Sequence, residues 1–225
     1  MARRRALLVD LDGTLTDNFV GITRSIRHAL LALGAPEPAD AALQPCIGPP
    51  LRASFARLLA TDDPVLIERA LTHYRERYAD LGWQENVVYD GVAAAVAGLT
   101  ARGETLYLCT SKPAPYAEKI VARFGLRPFL QGVYGADLAG TLDDKATLVA
   151  HLVAREGLDP GVCTMIGDRV HDVRAAHANG VRAIGVLWGY GSHDELKAAD
   201  TLVSTPAAIG PALDALRADG VQRSV

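Results

Sequence analysis

The fold of this chain is decided by the stretch ALLVDLDGT, residues 6–14. The apolar run at 6–9 predicts a buried strand of a parallel sheet, and Gly13 allows the chain to turn away after it. Asp10 and Asp12 therefore lie where that strand ends, which is the side of an open α/β sheet at which ligands bind. Two carboxylates about 4 Å apart repel by roughly 4 kcal/mol at an effective dielectric of about 20. A bound cation would offset this repulsion; the alternative is an ordinary turn, with Asp10 as a strand-end cap.

The composition indicates a folded protein whose partners are small molecules. A chain of 225 residues with 49% hydrophobic content can build one large core, or one core and a small accessory domain. The net charge of −3, with the charges interspersed, favours neither a nucleic-acid-binding surface nor a membrane-binding patch. No apolar run approaches the roughly 18 residues of a membrane span. The three cysteines have no paired spacing, and Asp10 and Asp12 interrupt the apolar segment after Arg5, so we expect a cytoplasmic protein rather than an exported one.

Two regions of the chain have different patterns. From about Ala93 onward, short apolar runs alternate with helical patterns, as in a parallel sheet built from βαβ units. Residues 18–86 instead hold three or four amphipathic helical stretches and no convincing strand pattern. We therefore predict an α/β fold: a doubly wound, Rossmann-like parallel sheet formed by residues 1–17 and 87–225, with an all-helical cap domain inserted at 18–86. Since the insert follows the first strand directly, we expect it to lie over the strand ends.

The periodicity also predicts individual elements. The later strands are predicted at 105–109, 132–134, 162–166, 182–187 and 201–203. The first helix of the insert is predicted to bury an apolar face made of Val20, Ile22, Ile26, Leu30 and Leu33.

Polar residues follow several of the later strands. Thr110 and Ser111 come after one strand, Lys145 precedes a helix, and Asp168 and Asp172 come after another strand. Each has a plain alternative, since Thr and Ser cap helices, a lysine is often solvated, and acids favour the first turn of a helix. Together with the segment that holds Asp10 and Asp12, these make four separate segments with suitable residues. Their combination favours one shared site for phosphoryl chemistry. Lys112, in the same region, is interpreted as a loop residue rather than a catalyst.

In their order and spacing these residues resemble the haloacid dehalogenase-like superfamily, specifically its aspartate-nucleophile phosphatases. Asp10-x-Asp12-Gly13-Thr14 is similar to the first motif of that family, Thr110 to the second, Lys145 to the third, and Gly167-Asp168-x-x-x-Asp172 to the fourth. The resemblance covers nearly the whole chain.

The resemblance implies a role for each residue in phosphate-ester hydrolysis. Asp10 would attack phosphorus and form an aspartyl-phosphate, while Asp12 would act first as general acid and then as general base. Lys145 would offset the phosphate charge and orient Asp10, and the Thr110 hydroxyl with the Ser111 amide would hold the phosphoryl oxygens. The residues expected near the phosphate also include Gly13 and Thr14.

The resemblance further implies a Mg²⁺ cofactor, which prefers hard oxygen ligands. Its ligands would be Asp10, Asp168 and the backbone carbonyl of Asp12, with Asp172 binding directly or through water.

Some of the reactions that occur in this family are disfavoured by the residues of this chain. Asp12 and the pair Asp168 and Asp172 argue against a dehalogenase, and the absence of lysine from residues 18–86 argues against a Schiff-base phosphonate hydrolase. The segment 179–191 is similar to phosphoglycolate phosphatases and related 5′-nucleotidases, where Trp188 and Tyr190 would stack on a base or pack beneath the cap. The motifs do not separate these two activities. A phosphomutase and a non-catalytic phospho-ligand binding protein remain as alternatives.

Overall fold

The computed structural model describes residues 4–137 and 141–222. The chain divides into two compact units, of which the larger comprises Met1–Leu15 and Val88–Val225 and the smaller comprises Thr16–Val87. Every residue that the sequence analysis assigned to catalysis, phosphate binding or metal binding falls in the larger unit. Within the described residues, no helix is both long enough and apolar enough to cross a membrane.

The strands are β1 (Leu7–Val9), β2 (Thr16–Asp17), β3 (Val87–Val88), β4 (Leu106–Pro113), β5 (Leu130–Ala136), β6 (Thr164–Gly167), β7 (Arg182–Val186) and β8 (Thr201–Val203). Six of them form a parallel sheet in the order β5-β4-β1-β6-β7-β8, while β2 and β3 pair separately. Strand β1 lies at the centre, with Val9 beside Leu108 on one side and Ile166 on the other.

The helices are α1 (Phe19–Ala32), α2 (Asp40–Leu43), α3 (Leu51–Leu58), α4 (Pro64–Asp80), α5 (Val92–Ala101), α6 (Ala114–Arg123), α7 (Lys145–Glu156), α8 (Val170–Ala178), α9 (His193–Leu196) and α10 (Ile209–Gln222).

Helices cover both faces of the large sheet. On one face, Leu148 of α7 and Val173 of α8 join a core cluster with Leu8 of β1. On the other, Val96 of α5 lies with Val9 of β1 around a small apolar cavity. Successive strand residues point to opposite faces, so both faces of β1 are buried and the run is apolar throughout.

The smaller unit is helical. Asn18, the residue before α1, donates a buried hydrogen bond of 2.6 Å from its Nδ2 to the hydroxyl of Tyr78 in α4. Near the end of the unit, Glu85 accepts hydrogen bonds from Arg24 and Arg77. The hydrogen bond from Arg77 is the main cause that lowers the pKa of the Glu85 carboxyl. Partial burial opposes it, and the hydrogen bond from Arg24 and the charges of both arginines lower it further.

The fold-class prediction is confirmed, whereas some of its details are wrong. Strand β4 continues to Pro113 because its pairing with β5 runs on to Ala136, so Lys112 is a strand residue and not a loop residue. Strand β6 begins only at Thr164, since Pro160–Val162 form a 3₁₀ turn. Val20 is 43% exposed although it was predicted on the buried face of α1. At about 100° per residue it lies roughly 120° around the helix from the buried Ile26.

Candidate active site

The central strand delivers two buried aspartates to the carboxyl end of the sheet. Asp10 follows the last residue of β1, and its amide donates a 2.9 Å hydrogen bond to the carbonyl of Ile166 in β6. The exposed fractions of Asp10 and Asp12 are 5% and 8%. Carboxylates are rarely buried to this extent unless they are paired or bind a cation, so their partners define the site.

Gly13 makes the turn that follows these aspartates. Its φ of +88° lies in the left-handed region, which residues with a side chain rarely adopt. A Cβ atom at this position would also collide with the carboxylate of Asp168. The turn therefore brings the backbone after β1 directly against an acid that comes from β6.

A buried lysine joins two acids of the site. Lys145 is the first residue of α7, fixed there by the side chain of Asp144, which accepts a hydrogen bond from the Thr147 amide. Its Nζ lies 2.7 Å from Oδ1 of Asp10 and 2.9 Å from Oδ1 of Asp172. Burial disfavours the charged ammonium, but the negative charges of Asp10 and Asp172 outweigh it and raise the pKa of Lys145 above its usual range.

Three carboxylates converge beside this lysine. Asp10, Asp168 and Asp172 are all buried, and each offers an oxygen within 4.8 Å of the others. Burial, together with the charges of Asp172 and Asp10, raises the pKa of Asp168 well above its ordinary value. Burial also raises the pKa of Asp172 to about 6; the charge of Lys145 opposes this shift and that of Asp10 adds to it. Such a set of hard oxygen donors, withdrawn from water, fits a divalent cation of the Mg²⁺ type.

Neutral donors hold Asp168 in place. The hydroxyl of Thr14 donates to its Oδ1 at 3.3 Å, and the amide of Tyr190 donates to its Oδ2 at 2.8 Å. The indole Nε1 of Trp188 donates a 3.0 Å hydrogen bond to the carbonyl of Thr14. These polar contacts hold the loop around Asp168, and Trp188 also lines the small apolar cavity beside Val9. Stacking on a base or packing beneath the cap stays a prediction for Trp188 and Tyr190.

Asp172 is also fixed by the backbone at the start of α8. Its Oδ2 accepts a 3.1 Å hydrogen bond from the amide of Arg169, the residue that precedes the helix. The guanidinium of Arg169 in turn contacts Glu195 at 2.8 Å. Asp172 thus lies in the first turn of a helix, where acids are favoured, as the plain alternative predicted. It is also a member of the carboxylate cluster.

Strand β4 brings further polar residues to the same unit. Thr110 is 2% exposed, and its hydroxyl accepts a 3.3 Å hydrogen bond from the amide of Lys112. Ser111 lies between them and is half-buried. Lys112 is also buried, and its Nζ lies 2.5 Å from Oδ2 of Asp12. The sequence pattern did not predict this ion pair; the signal that could have indicated it is a lysine two residues after the polar strand residue Thr110.

The charged side chains at this end of the sheet form two groups, each built around one buried lysine. One contains Asp10, Lys145, Asp168 and Asp172. The other contains Asp12 and Lys112. The carboxylate of Asp12 is not a member of the three-acid cluster found in the described residues. The assignment of its backbone carbonyl to the metal stays a prediction.

Comparisons with known proteins match most of the chain and its fold. Residues 7–186 match the family model described as haloacid dehalogenase-like hydrolase. The chain is 46% identical over 192 residues to a 5′-nucleotidase of Pseudomonas aeruginosa, which covers 85% of this chain and 86% of that protein. It is 37% identical over 202 residues to the tyrosine-protein kinase PtkA of Mycobacterium tuberculosis, which covers 90% of this chain and 68% of the kinase.

Two further comparisons extend these similarities. A phosphoglycolate phosphatase of Pseudomonas putida is 28% identical over 192 residues, covering 83% of this chain and 70% of that protein. The crystal structure of a predicted phosphatase from Clostridium acetobutylicum has a TM-score of 0.87 at 32% identity, and the match covers 96% of this chain and 99% of that one. The chain therefore belongs to the haloacid dehalogenase-like hydrolase family.

Proposed function

We propose that this chain is a Mg²⁺-dependent phosphatase that hydrolyses a small phosphate monoester through an aspartyl-phosphate. The observation that carries the proposal is the Lys145 ammonium, which is buried between Asp10 and Asp172 at the carboxyl end of β1. A dianionic phosphate needs positive charge and fixed donors around the attacked phosphorus, and this arrangement offers both beside a carboxylate nucleophile.

Asp10, Asp168 and Asp172 would hold Mg²⁺ through side-chain oxygens, and the backbone carbonyl of Asp12 would be a further ligand. Bound Mg²⁺ would neutralise negative charge on the phosphoryl group and on these carboxylates. The three buried acids support this assignment, since burial and mutual repulsion already raise the pKa values of Asp168 and Asp172.

In the first chemical step, a carboxylate oxygen of Asp10 attacks phosphorus as the bond from phosphorus to the ester oxygen breaks. Asp12 donates its proton to the departing oxygen, which leaves as an alcohol. Lys145 holds Oδ1 of Asp10 at 2.7 Å, so the nucleophile has one fixed orientation.

In the second step, water attacks the phosphorus of the aspartyl-phosphate. Asp12, now ionised, takes a proton from that water, and the bond between phosphorus and the Asp10 oxygen breaks. Phosphate is released, Asp10 is again a carboxylate and Asp12 is again protonated. The Thr110 hydroxyl, the Ser111 amide and the turn at Gly13 and Thr14 would hold the phosphoryl oxygens in both steps.

Among substrates, we propose nucleoside 5′-monophosphates first and phosphoglycolate second. The support is the higher identity to the relative named 5′-nucleotidase, 46% against 28% for the phosphoglycolate phosphatase of Pseudomonas putida. A fold hosts many substrates, so the ranking has to be measured.

The test is phosphate release by the purified full chain from a panel of nucleoside 5′-monophosphates, phosphoglycolate and sugar phosphates, each ranked by kcat/KM. We expect release that requires Mg²⁺ and stops with EDTA. An activity that EDTA leaves unchanged would contradict the metal assignment. No release from any member of the panel or from p-nitrophenyl phosphate would favour the phospho-ligand binding alternative.

The relative named tyrosine-protein kinase gives a reason to test transfer to acceptors other than water. A phosphomutase is the second transfer reaction to consider. With ³²P-labelled donor, hydrolysis predicts label in inorganic phosphate alone, even when a tyrosine peptide or a sugar phosphate is present. Label that appears in either acceptor would replace the phosphatase by a phosphotransferase, while the aspartyl-phosphate would remain.

We further propose that the helical unit, predicted at 18–86, is a cap that selects the substrate and excludes water while the aspartyl-phosphate forms. The support for this proposal is the connectivity of the chain, because the helical unit follows directly after the motif at 10–14. We also propose a cytoplasmic setting, which the unpaired spacing of the three cysteines supports.

A further inference from the structure

A second buried lysine lies on the acid/base side of the site. The ammonium of Lys112 is 2.5 Å from Oδ2 of Asp12, and the exposed fractions of the two side chains are 5% and 11%. Burying a lysine costs free energy unless its charge is compensated, and the carboxylate of Asp12 contributes to that compensation here. The mechanism above uses Asp12 but gives Lys112 no role.

The backbone presents Lys112 through an irregularity of β4. Thr110 pairs with Gly135 of β5 and Pro113 pairs with Ala136, so Ser111 and Lys112 are extra residues opposite one step of the partner strand. Bulges of this kind re-aim side chains and occur next to active sites. Gly135 is needed for it, because a Cβ atom there would lie 2.5 Å from the carbonyl oxygen of Lys112.

From this geometry we propose that Lys112 is a positioning residue for the proton transfers of Asp12. Lys112 anchors Oδ2, which turns the other oxygen, Oδ1, towards the ester oxygen in the first step and towards water in the second. This inference rests on the proposed phosphatase function. It assigns Lys112 an effect through Asp12 and no contact with the phosphate.

The role makes a specific kinetic prediction. An alkoxide leaving group needs its proton during the first step, whereas a nitrophenolate is weakly basic and departs without one. Loss of a positioned general acid should therefore slow alkyl phosphates far more than p-nitrophenyl phosphate. The parameter to compare is kcat/KM, because it covers the reaction up to formation of the aspartyl-phosphate.

The experiment compares Lys112→Met with the wild-type chain on p-nitrobenzyl phosphate and p-nitrophenyl phosphate, two substrates of similar bulk. Positioned general acids contribute on the order of 10²–10⁴-fold, so we expect kcat/KM for the benzyl ester to fall at least about tenfold. We expect a much smaller fall for the phenyl ester. The matched control is Lys119→Met, an exposed lysine of α6, which should change neither value.

An equal fall for both esters would overturn the proposal, since it would indicate phosphate binding or general damage to the site. Unchanged kinetics would overturn it as well. If Lys112→Met fails to fold by circular dichroism, Lys112→Gln replaces it as a polar side chain that is uncharged and one atom shorter than lysine. Because this side chain does not reproduce the ion pair with Oδ2, the ratio of the two kcat/KM values must still shift against the benzyl ester. Failure of the wild-type chain to hydrolyse either ester would instead count against the proposed function.

Discussion

Replacing Asp172 by asparagine should stabilise the metal-free protein near neutral pH and abolish its stabilisation by Mg²⁺. Asp172 is 3% exposed, and burial raises its pKa from 3.8 to about 6, with Lys145 opposing the shift and Asp10 adding to it. A carboxyl whose pKa is raised on folding is penalised wherever it is ionised. Asparagine keeps the shape of the side chain and carries no charge.

The sign and size of the effect follow from that pKa. Between about pH 4 and pH 6 the folded state holds the Asp172 proton more tightly than the unfolded state, so the free energy of unfolding falls as the pH rises. A shift of about two units corresponds to roughly 3 kcal/mol, reached above about pH 6 and absent below about pH 4. The pKa of about 6 already includes the attraction of Lys145, so the figure of roughly 3 kcal/mol needs no further correction for this ion pair.

The assay is urea unfolding followed by circular dichroism, in EDTA and in Mg²⁺, at about pH 4 and about pH 7.5. In EDTA, Asp172→Asn should exceed the wild type by up to about 3 kcal/mol at the higher pH and match it at the lower one. Mg²⁺ at about 100 times its Kd would add roughly 2.7 kcal/mol to the wild type and little to the variant.

The matched control is Asp194→Asn, which changes an exposed acid at the start of α9 and should have neither effect. The reasoning would be refuted if Asp172→Asn were less stable than the wild type in EDTA at about pH 7.5. An undiminished response to Mg²⁺ would remove Asp172 from the ligand set.

Three other substitutions test the remaining parts of the site. Asp10→Asn should abolish turnover with an unchanged circular dichroism spectrum, because an amide is a poor nucleophile, and full activity would refute the covalent mechanism. Gly13→Ala should lower the free energy of unfolding by at least about 1 kcal/mol in a denaturant titration, because it strains a left-handed residue and its Cβ meets Asp168. Trp188→Phe removes the hydrogen bond to the Thr14 carbonyl and should cost about 1 kcal/mol in the same titration, whereas an unchanged midpoint would show that this bond does not hold the loop.

The convergence of the acids could be predicted from sequence because the topology of a parallel sheet fixes it. Asp10 and Asp168 follow β1 and β6, and these strands are neighbours in register, with Val9 beside Ile166. Carboxyl ends of adjacent parallel strands necessarily meet, so residues 158 positions apart in sequence were expected in one cluster. The position of Lys145 was harder to predict, because it depends on where α7 begins. The cap formed by Asp144 fixes that start.

The contacts that the sequence did not reveal depend on tertiary pairing. The extent of β4 is set by β5, which keeps pairing to Ala136, and periodicity within 105–113 carries no information on that partner. Tyr190 donates its hydrogen bond to Asp168 from the backbone amide, a group that every residue other than proline possesses. Side-chain chemistry at position 190 therefore pointed to stacking or packing and not to this hydrogen bond.

The two lysines suggest why the site separates its aspartates. In the proposed mechanism Asp10 attacks from one fixed orientation, and Lys145 supplies that orientation through an ion pair with Oδ1. Proton transfer requires that Asp12 exchange a proton without rotating, and an anchor on Oδ2 leaves the other oxygen to do so. A single lysine shared by both acids would couple nucleophile and proton donor, because any change in the charge of one would alter the field at the other. With a separate lysine for each, Asp12 can change protonation between the two steps while Asp10 keeps its own ion pair.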